Sequence, residues 1–389
     1  MSALNGISQS LDSIKSYKEQ RKMIPAVYGI NEYLSQFPQN VEAWLLKAEI
    51  YDLLNADARY SDLVVDSRMD ALNSLQEAKR IDAHFTDSVL SSYKYSILFN
   101  IYNGYISDGI AIYNSVVIQG AAQDRYLTAL QKFTNAERVG KMLQFYHQIP
   151  ILDTNLTFFI AKSAIQAKKE AIALNMSQLI TKAKIKSTSI GGTTVSIYEW
   201  LAFYYRSHGL MAQLEDLSNL SVQLFTEQEH TYFYLNLIDA YRKASNWDKL
   251  LLTYSKAMHY ASFKINYESV YLKELYQLVY FTKDFKSTIS LRKKLKSDLE
   301  NFLKKSTNSN QLQASSIVLA KVYINESKLV PAMKKQYLGK GKYLLESLIQ
   351  SKNLNPESDR VQIQSLLYAI SVSLNDEAGI KLYQQNKLK

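Results

Sequence analysis

Gly191-Gly192-Thr193-Thr194 is the first stretch whose residue types could do chemistry, since glycines beside hydroxyl side chains can cradle a phosphate on backbone N–H groups. A phosphate loop of that kind also needs a Lys-Ser/Thr pair opening a helix after a strand. Neither the lysine nor a strand pattern is present. Gly339-Lys340-Gly341-Lys342 fails likewise, because no Ser or Thr follows its lysines and a helix, not a strand, precedes it. Both stretches read as turns. The five histidines, His84, His147, His208, His230 and His259, have no acidic or histidine partner at helical metal spacing in an apolar setting. No G-x-S-x-G nucleophile elbow occurs. Carboxylate pairs such as Glu215-Asp216 are scattered over helix surfaces. With no cysteine, disulfides, thiolate zinc sites, iron–sulfur clusters and thiol nucleophiles are excluded. The expectation is a protein with no catalytic residue, cofactor or metal site.

Net charge is +10, with a pI near 9.2. That balance would suit an acidic partner, RNA or an anionic surface. The densest basic clusters (Arg292-Lys293-Lys294, Lys304-Lys305, Lys334-Lys335) are short, however, and solvated helix faces explain them. Nucleic acid is therefore the disfavoured partner. No apolar run reaches the length of a membrane span. The start, MSALNGISQSLDSIKSYKEQRK, has no apolar signal core. A cytoplasmic protein fits, as does an exported envelope protein whose signal precedes this chain.

The elements that would carry any site are helices. Only 12 Gly and 5 Pro in 389 residues leave few breaks, and 47% hydrophobic content is that of a globular chain. The stretch from Tyr232 to Met258 sets the pattern. Tyr234, Leu237, Ile238 and Tyr241 share one face of a helix with about 3.6 residues per turn. Ala244-Ser245-Asn246 makes a short capping break, and Trp247, Leu250, Leu251, Tyr254 and Ala257 form a second face. One such hairpin cannot bury its apolar side alone, so it needs similar neighbours. The 29 tyrosines suit helix seams, with the ring buried and the hydroxyl reaching water.

Large, small and aromatic residues at offsets of four and three recur along the chain. Pro38 precedes Trp44-Ala48-Tyr51, and Ala71-Leu75-Ala78 follows. Tyr198-Ala202-Tyr205 leads to Gly209 and Leu214, and Tyr234-Ile238-Tyr241 leads to Leu250-Tyr254-Ala257. Ala320-Tyr323 opens a unit that Leu344, Leu348 and Pro356 close; Leu366-Ala369 with Ala378-Leu382 makes another. Looser examples are Tyr93-Ile97-Asn100 with Gly109-Tyr113-Val116, and the helix from Ser8 to Arg21. This spacing resembles the tetratricopeptide repeat, a helix–turn–helix unit of about 34 residues. The resemblance implies an all-α superhelix (a TPR-like solenoid) of about ten antiparallel helix pairs. Two units carry extra segments, near Asn55–Asp66 and Asn325–Gln336, expected as longer turns or extended helix ends. Lys182–Thr194 reads as a hinge-like junction between an N-terminal array, residues 1–186, and a C-terminal array, residues 187–389.

In this family the first helix of each unit lines the concave groove. Carried over, the exposed groove residues would be Phe203, Arg206, Asp239, Arg242, Lys243, Lys273 and Tyr276. The set is basic and aromatic with one acid, so it would take an extended or helical peptide of acidic character. The Lys/Asn clamp with which some family members grip a C-terminal carboxylate is not matched. The functional expectation is a non-catalytic scaffold or adaptor binding a partner segment in its groove. Two alternatives are an RNA-binding helical array and an envelope component of a transport or glycan-handling assembly.

Overall fold

The computed structural model describes residues 10–55, 57–60, 63–115, 122–283, 285–350 and 357–385. Ser8, Val116 and Pro356, used above as spacing markers, lie outside these residues. Among the described residues the chain is an all-α helical repeat fold with nineteen α-helices and one two-stranded hairpin. The chain forms two compact units, Met1–Tyr205 and Arg206–Lys389.

The first unit contains α1 (Leu11–Glu19), α2 (Met23–Gln36), α3 (Val41–Asn55), α4 (Ser67–Ile81), α5 (Ala83–Ser92), α6 (Ser96–Asn114), α7 (Ala122–Phe145), α8 (Thr154–Gln166) and α9 (Glu170–Lys182). It ends within α10 (Val195–Ser207). Four antiparallel pairs, α1–α2, α3–α4, α6–α7 and α8–α9, stack so that their first helices also touch in sequence: α1 on α3, α3 on α6, α6 on α8. Gly109 lets α6 close on α7, because a Cβ there would meet the Phe133 ring at 2.5 Å. Phe133 in turn stacks on Phe159 of α8 at 5.2 Å, which ties three helices together.

The second unit contains α11 (Met211–Leu224), α12 (Glu227–Lys243), α13 (Trp247–Ala257), α14 (Ala261–Phe281), α15 (Ile289–Lys305), α16 (Ser309–Leu329), α17 (Lys334–Gln350), α18 (Glu357–Leu374) and α19 (Glu377–Gln385). Its pairs are α12–α13, α14–α15, α16–α17 and α18–α19, with α12 on α14, α14 on α16 and α16 on α18. The Tyr232–Met258 hairpin forms as its pattern requires: Tyr234, Leu237, Ile238, Tyr241, Leu250, Tyr254 and Ala257 are all buried.

The turns of four pairs share one backbone solution. Arg21, Lys168, Ser245 and Asn375 each adopt a left-handed conformation, with φ between 51° and 58°. In each turn the next N–H bonds the carbonyl five residues back: Lys22 to Tyr17, Lys169 to Ala164, Asn246 to Tyr241, Asp376 to Ser371. This closure satisfies helix-end carbonyls, and glycine is its usual residue. A side chain in this conformation costs about 1 kcal/mol, which glycine partly recovers against its larger unfolded-state entropy.

Two expectations need correction. Gly339–Lys342 is not a turn but the interior of α17, where Gly341 brings the helix close to Ala320 and Tyr323 of α16. The Lys182–Thr194 segment holds strands that its sequence does not announce: β1 (Ser187–Thr188) pairs antiparallel with β2 (Gly192–Thr193), and Gly192 turns at φ 77°. Thr194 Oγ1 donates to the carbonyls of Ile185 and Lys186, and Asn155 Oδ1 accepts from Ile190 N, so side chains fasten the hairpin inside the first unit. The extra segment Asn325–Gln336 becomes the end of α16, a 3₁₀ turn at Pro331–Met333 and the start of α17.

Tyrosine hydroxyls join helices by donating to carboxylates. Tyr102 reaches Asp153 at 2.5 Å and Tyr105 reaches Asp66 at 2.9 Å; both aspartates are helix N-caps. Tyr254 donates to Glu274 at 2.5 Å, Tyr280 to Glu326 at 2.6 Å, Tyr323 to Glu300 at 2.7 Å and Tyr383 to Glu346 at 2.9 Å. Burial first, and the facing carboxylate second, push these phenols up, Tyr383 to about 12. Burial alone raises Tyr198 to about 12.

A phenol with a raised folded pKa keeps its proton longer folded than unfolded. Its contribution is therefore complete below the ordinary value of about 10 and is lost as pH climbs through the raised value. Urea unfolding followed by far-UV circular dichroism should show stability falling steeply only above about pH 10, with phenolate absorbance lagging until the fold opens. Ser245→Gly should raise stability by about 0.5 kcal/mol in thermal melts, because it relieves the left-handed turn.

Candidate functional site

First helices of the second unit contact their next-but-one neighbours more extensively than second helices do. α12, α14, α16 and α18 thus form one continuous layer, here termed the inner face of this unit. The site is built on that face.

Asp239 on α12 is its hub. Arg206 lies 3.4 Å from the carboxylate, Lys243 3.1 Å and Arg242 3.6 Å. The last two follow from helical spacing, being one turn along from Asp239. Arg242 also forks onto Glu274 of α14, Nε to Oε1 at 2.5 Å and Nη2 to Oε2 at 2.9 Å. Glu274 accepts from Tyr254 of α13 as well, so one carboxylate holds three helices. The hydrogen bonds that Arg242 donates to Glu274 hold its guanidinium above its ordinary pKa. The expected basic set is thus largely neutralised by a carboxylate ladder that runs across the face.

Farther along, the face changes character. Lys273 of α14 is exposed, Lys321 of α16 is half-buried, and neither forms an ion pair among the described residues. Desolvation first, and the neighbouring Lys273 second, lower the Lys321 pKa, against a weak opposing pull from Asp359. Lys321 lines a pocket with Tyr276, Gln277 and Phe281 of α14, Ile324 and Asn325 of α16, and Leu366 of α18. Asn325 Nδ2 donates to the Tyr276 hydroxyl at 3.2 Å.

Of the residues that the sequence places in a groove, Arg206, Asp239, Arg242 and Lys243 come together in one ladder, and Lys273 lies on the next helix. Phe203 is 48% exposed on the part of α10 that belongs to the first unit. Tyr276 is not an exposed groove residue. It is 4% exposed and packs with Leu272, Leu275 and Val279, because those positions share one helical face turned to the core. Glu274, Phe281, Lys321, Asn325 and Leu366 were missed. Lys321 had a signal: it is the one charge inside the apolar run ASSIVLAKVYI.

His230 is buried, its Nε2 3.0 Å from the Phe225 carbonyl and its ring edge-on to Tyr260. Among the described residues no group of three His, Asp or Glu side chains could hold a metal ion. None of their helices is long and apolar enough to cross a membrane.

No family model and no curated protein matches this chain. Among solved structures it is similar to a crystal structure of the P58(IPK) TPR domain, at 12% identity over 94% of this chain and 97% of that one. The TM-score is 0.22, too low to carry residues across.

Glu274→Ala should destabilise the protein by roughly 1–2 kcal/mol in urea titrations, because Tyr254 and the guanidinium lose their shared acceptor. That range is already discounted for Arg242, whose side chain is 44% exposed. Asp239→Ala, which breaks pairs of 3.1–3.6 Å that have no forked geometry, should cost less, about 0.5 kcal/mol.

Proposed function

We propose that this chain is a non-catalytic docking protein of the tetratricopeptide type, and that the inner face of its second unit takes an extended or helical segment of a protein partner. The observation that carries this reading is Lys321: a half-buried cation with no ion-pair partner among the described residues, set in the wall of a pocket that is otherwise aromatic, aliphatic and amide. Its charge is disfavoured by burial and by Lys273, so an incoming carboxylate would relieve both. Phe281, Ile324 and Leu366 would hold an apolar side chain beside it. The partner segment therefore pairs one apolar residue with a nearby Asp or Glu. The stacked helices hold the face in place before binding, so the ordering cost falls mainly on the ligand.

Peptide display against the purified protein, followed by fluorescence anisotropy on the selected sequences, tests this directly. Selected peptides should combine an apolar and an acidic residue within one helical turn, and Lys321→Glu should weaken them by roughly tenfold or more. Peptides that bind Lys321→Glu and the parent protein equally would end the reading.

A further inference from the structure

Charge is spread unevenly over the second unit. α15 carries six basic residues against Asp298 and Glu300, and α17 carries four against Glu346. These two second helices therefore hold seven of the ten net positive charges of the chain. Little of that charge is neutralised internally. Arg292 pairs with Glu326, Lys294 with Asp298, and Lys342 with Asp376 and Glu346. Glu300 is engaged by the Tyr323 hydroxyl. Lys293, Lys304, Lys305, Lys334, Lys335 and Lys340 are exposed and form no ion pair among the described residues. The contrast with the inner face is direct, since there Asp239 and Glu274 answer Arg206, Arg242 and Lys243.

The same two helices flank a trough of about 380 Å³. Its lining is Leu303, Leu319, Tyr323 and Leu344, together with Lys304, Lys340 and Glu300, whose carboxylate accepts from the Tyr323 hydroxyl. Tyr343 also lines it and is 72% exposed. A solvated helix face needs neither an apolar trough nor an excess of one sign of charge. Single-stranded nucleic acid would need successive stacking platforms, whereas Tyr323 is 4% exposed and only Tyr343 offers a free ring face here. The aliphatic lining fits a side chain better than a base.

We propose that the α15–α17 trough is a second docking surface, which takes an acidic polypeptide segment. Carboxylates of the segment sit over Lys304 and Lys340, and one aliphatic side chain enters between Leu303, Leu319 and Leu344. This surface is separate from the Lys321 pocket and holds or fails independently of it.

The test uses the full chain carrying Lys321→Glu, which takes the Lys321 pocket out of the assay, at low salt with a fluorescein-labelled acidic peptide rich in Asp and Glu around one central Leu. A copy with Ser for that Leu and an oligouridylate of equal length serve as comparisons. The Leu peptide should bind, lose roughly tenfold or more on the double change Lys304→Glu and Lys340→Glu, and keep its affinity when both lysines become arginine. The Ser copy should bind several-fold more weakly. Absence of binding, or binding that survives the Lys304→Glu and Lys340→Glu change, overturns the proposal. So does indifference to the central Leu, which would reduce the surface to bulk charge. Tighter binding of the oligouridylate, lost with the same lysines, would make the surface a nucleic-acid site instead.

Discussion

A phenol on one helix donating to a carboxylate on another is the interaction on which this structure depends. It recurs at Tyr102–Asp153, Tyr105–Asp66, Tyr254–Glu274, Tyr280–Glu326, Tyr323–Glu300 and Tyr383–Glu346. Each ring contributes apolar area to a seam, and each hydroxyl fixes the register of two helices with one charge-assisted bond. Leucine would fill such a seam without specifying how far one helix slides along its neighbour. These six tyrosines are in this sense a registration system rather than a reservoir of chemistry. The cost is that a carboxylate is committed at each joint.

Those commitments shape the surface. Asp239 and Glu274 bind the cations beside them, so the inner face of the second unit is a mixed-charge ladder that gives way, among the described residues, to the unpaired Lys273 and to Lys321 at a pocket of aromatic, aliphatic and amide side chains. Glu300, Glu326 and Glu346 are likewise tied up on or against α15 and α17. Lys293, Lys304, Lys305, Lys334, Lys335 and Lys340 of those helices are left without ion-pair partners among the described residues. Structural demand for carboxylates at the seams thus leaves exposed positive charge on the second helices. Any acidic partner meets that charge.

Local rules account for the scaffold. Arg21, Lys168, Ser245 and Asn375 occupy equivalent left-handed turn positions although their side chains have little in common. What they share is position: each follows a helix whose last carbonyls need N–H donors, and each precedes a residue that opens the next helix. The repeat therefore lives in backbone closure and in offsets of apolar residues, which is why the spacing was readable where residue identities were not.

The order and helical character of the elements, the Tyr232–Met258 hairpin and the positions of buried Ala48, Tyr51, Ala71, Ile238 and Tyr254 were written in the sequence, because helical periodicity is a property of the local chain. Arg242 and Lys243 could be placed one turn from Asp239 for the same reason. The tertiary structure alone decided which charges are spent. Arg242 meets Glu274 across 32 positions of sequence, and Glu326 meets both Tyr280 and Arg292. It also decided that Tyr276 faces the core, that Lys182–Thr194 closes as a β-hairpin, and that Gly339–Lys342 continues a helix. Pairing between distant side chains depends on how helices stack, and that offset is invisible to any window of the sequence shorter than the stack itself.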